Sequence, residues 1–245
     1  MSKPPSIRLD RLLANLGYGS RREVQAMAKR GRVRLDGEPI ADIEARVTAD
    51  AAFATRLTIN GEPLDPLPGV VLMMNKPLGV TCSQREAGPL VYNLLPERWR
   101  FRDPAISSVG RLDKETSGLL LLTDDGDFLH KVISPRRHVA KRYVATLDRP
   151  LRGDEAAIFA SGALMLEGED KPLLPAALEA LAPREAALTI MEGRYHQVRR
   201  MFAAVGNHVT ALRRASMGGL QLPDDLAPGD YRLLDEAGRA AVLGD

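Results

Sequence analysis

"SSVGRLDKETSGLLLLTDDG", residues 107–126, sets one acid, Asp113, between Gly-Arg-Leu and a polar run that ends in four consecutive leucines. A short apolar run bounded by turn-forming residues reads as a strand buried on both faces. Asp113 lies just ahead of that strand. It is either a turn residue, as Asp often is before a polar loop, or a carboxylate held for chemistry. The stretch alone leaves both readings open.

The neighbouring segments define the frame around it. "VVLMMNKP" reads as a buried strand that stops before Pro77, and "LLLLT" as another, followed by the turn "DDG". "KRYVATL" and "ALTIMEG" are further strands. "YHQVRRMFAAVG" places Val198, Met201, Phe202 and Val205 on one helical face, with Gly206 at its end. Strands mixed with short helices, without a regular βαβ rhythm, predict an α+β domain built on a mixed, largely antiparallel sheet with flanking helices.

The first sixty-odd residues have a different character. "IRLDRLLANLG" sets Ile7, Leu9, Leu12, Leu13 and Leu16 at helical spacing and ends on Gly17. "SRREVQAMAKRG" opens with Ser20 and has Glu23 three residues on, a capping box for a second helix that Gly31 can close. Asp36-Gly37 and Asn60-Gly61 are hairpin signals. The expectation is a small α/β module of two helices followed by a small sheet. "DPLPG", residues 65–69, is a Pro-rich break and the expected linker. The domains expected are therefore 1–64, a linker at 65–69, and 70–245.

Charge is uneven along the chain. Nine Lys/Arg stand against Asp10 and Glu23 in residues 1–34, a net of +7; with +2 for the whole chain, the remainder carries −5. Arg21, Arg22, Lys29, Arg30 and Arg32 are candidate contacts to a phosphate backbone. Aromatics are scarce there, since Tyr18 alone precedes Phe53, so shape and phosphate recognition of a folded RNA fits better than base stacking. "RLDRLLANLGYGSRREVQAMAKRGRVRLDGEPI" resembles the ribosomal protein S-four-like RNA-binding domain, over about residues 7–64.

Several function classes are disfavoured. No apolar run approaches ~18 residues, and "MSKPPSIRLD" lacks a signal-peptide core, so no membrane association is expected. The single cysteine, Cys82, suits a reducing cytoplasm. The four histidines show no metal-ligand spacing, so no metal is expected, and "TDDGDF" reads as a turn rather than a calcium loop. Neither a phosphate loop nor a nucleophile elbow is present. What remains is a carboxylate among cations, because a carboxylate facing an arginine keeps its charge and can act as nucleophile or base. Residues 130–144 and 193–214 each carry five Lys/Arg and no acid. They add Arg136, Arg137, Lys141, Arg194 and Arg200 as candidate RNA contacts. Tyr143 and Tyr195 sit in these runs; for Tyr195 core packing is the favoured expectation.

Taken together, "MNKPLGVTCS", "VGRLDKETSGLLLLTDDG", "KRYVATL" and "EGRYHQVRRMFAAVGNHV" resemble the ribosomal small subunit pseudouridine synthase A family, in order and spacing, across nearly the whole chain. The resemblance implies the pseudouridine synthase fold and uridine isomerisation in ribosomal RNA without a cofactor. It implies 16S rRNA or a small-subunit assembly intermediate as partner, and a monomer acting in the cytoplasm. It also implies Asp113 as the catalytic aspartate, Arg111 beside the target nucleotide, Tyr143 packed on the target base, and Arg199 paired with the carboxylate. Thr116-Ser117-Gly118 is expected to be the turn joining Asp113 to the leucine strand. A 23S rRNA substrate and a non-catalytic ribosome-assembly role stay open as alternatives.

Overall fold

The computed structural model describes residues 6–244 except 41, 84 and 86. Lys3, counted in the basic run, and the opening residues 1–5 lie outside the described residues. The chain divides into two compact units. One comprises Met1–Val70, Leu95–Ser107 and Thr123–Asp125; the other comprises Val71–Leu94, Ser108–Leu122 and Gly126–Asp245.

In the first unit, β1 (Ser6–Arg8) runs directly into α1 (Leu9–Asn15), and α2 (Arg21–Lys29) follows. Ile7 therefore belongs to a strand, and the helix begins at Leu9. Leu9, Leu12, Leu13 and Leu16 are buried together with Val24 and Ala28, so the apolar spacing marks the packed face of the helix pair. The capping box forms as expected: the Ser20 hydroxyl accepts from the Glu23 N–H, and the Glu23 carboxylate accepts from the Ser20 N–H. Next come β2 (Val33–Leu35), β3 (Glu38–Pro39), β4 (Arg46–Thr48), α3 (Ala51–Arg56), β5 (Leu57–Ile59) and β6 (Glu62–Pro63). The four-stranded sheet runs β3-β2-β5-β6, and β1 pairs with β4. Both hairpin dipeptides take positive φ at both positions, 52° and 84° for Asp36-Gly37 and 55° and 83° for Asn60-Gly61. This is the geometry that matches strand twist. The short α3 has no counterpart in the sequence pattern. It buries none of its residues and begins at an Asp50 cap that accepts from the Phe53 N–H.

The stretch expected as a linker is tied into this unit. The buried Asp65 carboxylate receives two nitrogens of Arg98, and its N–H donates to the Tyr18 hydroxyl. The N–H groups of Gly69 and Val70 donate to Asp124, which also accepts from the buried Arg102. Asp124 of "TDDG" is thus a buried anchor as well as a turn residue.

The second unit is built on a nine-stranded sheet. Its elements are β7 (Val71–Lys76), β8 (Ser107–Ser108), β9 (Thr116–Thr123), α4 (Gly126–Ile133), β10 (Lys141–Leu147), α5 (Glu155–Ala160), β11 (Ala177–Ala182), β12 (Glu185–Ile190), α6 (Gln197–Ala204), β13 (Val209–Met217), β14 (Leu220–Gln221), β15 (Tyr231–Leu233) and α7 (Glu236–Leu243). The order is β11-β12-β10-β13-β9-β7-β15, with β14 on β13 and β8 on β9. β13 and β9 pair in parallel, whereas β10 pairs antiparallel with both β12 and β13, so the sheet is mixed and largely antiparallel. All of β7 and nearly all of β9 are buried, which is why both read as unbroken apolar runs. Phe128 and Val132 of α4 and Val242 of α7 pack with Val71, Leu119 and Leu121 in the core.

Candidate active site

Asp113 sits in a tight turn at the head of β9. The Thr116 N–H donates to the Asp113 carbonyl (3.0 Å), so Lys114 and Glu115 form the tip. The backbone of Asp113 thus opens a turn, as one reading of the stretch expected, and Asp113 also lines a cavity. Residues 116–118 are not the connecting turn; they are already strand. Gly118 serves another purpose. It lies at φ +100°, opposite Arg214 in the parallel β9–β13 pair, and a Cβ there would collide with the Arg214 backbone. Beneath the turn, the fully buried Lys76 donates to the carbonyls of Thr116 (2.8 Å) and Pro77 (3.0 Å).

The cavity has a volume of about 390 Å³. Asp113 is the one acid among the described residues that line it, and Arg111, Lys141, Arg194 and Arg214 line it too. The structure thus brings Arg111, Asp113 and Tyr143 together, three of the four residues implied as catalytic. Tyr143 comes from β10, 9% exposed, with its ring in the wall. The fourth, Arg199, needs correcting. Its guanidinium donates to the carbonyls of Val209 (2.9 Å) and Glu115 (2.7 Å), and no ion pair joins it to Asp113 among the described residues. It braces the tip of the Asp113 turn from α6.

The buried cation of the cavity is Arg214, on β13. Its Nε donates to the Leu119 carbonyl (2.7 Å), its Nη1 lies 3.5 Å from the Tyr143 hydroxyl, and its guanidinium stands over the Tyr143 ring at 6.0 Å. Its Nη2 has no hydrogen-bond partner among the described residues, and neither has the Thr116 hydroxyl, which also lines the cavity. Unpartnered buried donors are costly and point to a polar ligand. The sequence signal for Arg214 was available: in "VTALRRASM" it shares the buried phase of the strand with Leu212 and Ser216.

Burial and the neighbouring Arg214 charge hold the Lys141 ammonium below the usual lysine range. His196, in left-handed backbone at the start of α6, brings Nε2 to 3.5 Å from the Asp113 carboxylate. Tyr195 stacks on His196, with ring centroids 3.9 Å apart and 15° between planes, and is 71% exposed. The expected core packing of Tyr195 is therefore overturned, because its ring is carried outward on a turn at the cavity rim.

The candidate RNA contacts divide in two. Arg22, Lys29, Arg30 and Arg32 are exposed and make no ion pair among the described residues, while Arg21 is held by the buried carboxylate of Asp10 (2.9 Å). Arg136 and Arg137 are exposed in the turn after α4. Arg194 and Arg200, by contrast, both pair with Glu169, at 3.2 Å and 2.8 Å, and donate to the carbonyls of Lys171, Pro172 and Glu167. They fasten the 167–172 loop, so their assignment as phosphate contacts is corrected. Among the described residues no cluster of three or more His, Cys, Asp or Glu is placed to hold a metal, and no helix is long and apolar enough to cross a membrane.

Comparisons with known proteins agree with this architecture. A family model described as RNA pseudouridylate synthase matches residues 70–204, and one for the S4 domain matches residues 7–53. The chain is 43% identical to an uncharacterized RNA pseudouridine synthase of Bacillus subtilis, over 94% of this chain and 95% of that protein. It is 41% identical to the ribosomal small subunit pseudouridine synthase A of Escherichia coli K12, over 97% and 100%. A crystal structure described as a pseudouridylate synthase superposes with a TM-score of 0.67 at 35% identity, covering 97% of this chain and all of that one.

Proposed function

The chain belongs to the RNA pseudouridine synthase family, and from that premise we propose that it isomerises a uridine of 16S ribosomal RNA, with Asp113 as the catalytic carboxylate. The observation that carries the assignment is the composition of the cavity: one carboxylate among four cations, with an aromatic ring in the wall.

The reaction breaks the bond between uracil N1 and the ribose anomeric carbon, rotates the base, and bonds carbon 5 to that carbon. Carbon 5 loses its proton and N1 ends protonated, so no atom or electron is gained overall and no cofactor is called for. Asp113 acts on the ribose. Tyr143 packs on the freed uracil and keeps it in place as it turns. Arg214, which lines the same cavity with an unpartnered donor, adds a buried cation to the field around the carboxylate. The target base has to leave its stack to enter, at a cost of a few kcal/mol. Phosphate contacts from Arg22, Lys29, Arg30 and Arg32 offset that cost. The enzyme acts as a monomer in the cytoplasm, on 16S rRNA or a small-subunit assembly intermediate. The 41% identity to the small-subunit enzyme over 97% of the chain favours this substrate.

The test is carbodiimide mapping of pseudouridines in ribosomal RNA from cells with and without the protein. One 16S position should lose its modification. A loss confined to 23S rRNA would overturn the substrate, and no loss anywhere would overturn the function.

A further inference from the structure

A second cavity, of about 360 Å³, opens beside the first and shares Val132, Ile133, Lys141, Gly193 and Arg194 with it. Its remaining lining adds Pro135, Val139, Leu174 and Met191 to the polar Ser134, His138 and Glu192. Ile133, Leu174 and Met191 are 47%, 37% and 41% exposed, and all three converge on this one space. Exposed apolar side chains gathered in a concavity and rimmed by polar groups mark a binding site. The polar rim is rigid: Glu192 accepts from the Leu174 N–H, from Arg194 and from Gln197.

Lys141 stands on the shared wall. Its ammonium makes one hydrogen bond among the described residues, to the Val139 carbonyl (2.9 Å), and an ammonium has three donors. We propose that the second cavity is a subsite for the nucleobase next to the target uridine, with the phosphate that joins the two nucleotides lying against Lys141. The apolar side chains take the faces of that base, and the shared wall sets the two bases one phosphodiester apart. Charge supports the same placement. The Lys141 ammonium is disfavoured by burial and by Arg214, with Glu192 opposing, and an anion between the cavities offsets the first two. The inference rests on the proposed function, since it takes the first cavity to hold the target uridine.

The experiment compares the affinities of uridine 5′-monophosphate and of the dinucleotides ApU and UpA by calorimetry. Wild-type protein is measured beside Met191→Ala and Leu174→Ala, whose side chains are exposed and lie outside the catalytic cavity. One dinucleotide should bind wild type about tenfold more tightly than the mononucleotide, the effect of covering one ring face. Both variants should lose that advantage while binding the mononucleotide as wild type does. If neither dinucleotide binds wild type more tightly than the mononucleotide, or the advantage survives in both variants, the subsite is overturned. Tritium release from 16S rRNA transcribed with [5-³H]uridine keeps the two readings apart. Release without a dinucleotide advantage sinks the subsite alone, and no release from either the free transcript or the transcript assembled with small-subunit proteins sinks the proposed function.

Discussion

Two basic regions look alike in the sequence and behave differently in the fold. Residues 21–32 carry exposed charges, four of which meet no acid within the described residues. Residues 193–214 contain no acid in sequence, where residues 21–32 contain only Glu23, yet Arg194 pairs with Glu169 and Glu192, Arg200 pairs with Glu169, Arg199 is bonded to carbonyls, and Arg214 is buried in the cavity wall. A run of cations therefore reports an anionic partner only when the fold brings no acid back to it. On the proposed function, the first region attracts RNA at long range, and the second holds the Asp113 turn and the 167–172 loop in place.

If that contrast is right, single substitutions in the second region should act on turnover. The largest effect is expected at the cavity's one acid. Asp113→Asn should lower tritium release from [5-³H]uridine-labelled RNA at least about 1,000-fold with RNA affinity near wild type. Substantial release by that variant would remove Asp113 from the chemistry.

Arg214→Met should come next, at about 100-fold in turnover, the usual cost of removing one buried donor aimed at developing charge. The fold should not suffer in proportion. No carboxylate forms an ion pair with Arg214 among the described residues, so the substitution orphans no buried charge; its cost is the Leu119 carbonyl left without the Arg214 donor, about 1–3 kcal/mol. A thermal melt that stays level while turnover falls would fit a positioned functional cation. A collapse of both together would make Arg214 structural.

Much of this was legible because it is local. The Ser20–Glu23 capping box, the two Gly hairpins and the buried strands at β7 and β9 are each written within a dozen residues, and the structure returns them in place. What escaped is set by partners distant in sequence. Glu169 lies 25 and 31 residues from the two arginines it pairs with. The β9–β13 pairing that gives Gly118 its role joins residues on opposite sides of the unit's sequence. Tyr195 looked like core because its neighbours on α6 are; one left-handed residue, His196, turns it outward. The Arg199 assignment failed for a related reason. A motif fixes which cation is present, but only strand phase shows which cation faces the cavity.

The ion pairs of the second region should show in acid. Glu169 is held below its ordinary value of 4.5, first by the Arg200 hydrogen bond and then by Arg194, with burial opposing. A carboxyl with a depressed folded pKa contributes stability that is complete above its unfolded value and fades as pH falls through the folded one. Urea midpoints measured from pH 6 to pH 3 should therefore fall less steeply in Glu169→Gln than in wild type, with the two differing most near pH 6. Parallel curves would mean that the 167–172 loop is not fastened by these charges in solution.

The smallest effects belong to the first region, and their form matters more than their size. Removing one cation from the phosphate backbone should lower the slope of log affinity against log salt by slightly less than 1. Arg30→Gln should thus weaken RNA binding by less than about tenfold at physiological salt, with the deficit shrinking as salt rises and kcat at saturating RNA unchanged. Arg200→Gln, the same change of charge in the other region, should leave that slope alone, because its guanidinium already has Glu169 as a counter-ion. Two substitutions of equal formal charge would then separate on a salt titration. Equal slopes would erase the distinction between the regions, because both sets of arginines would then be meeting phosphate.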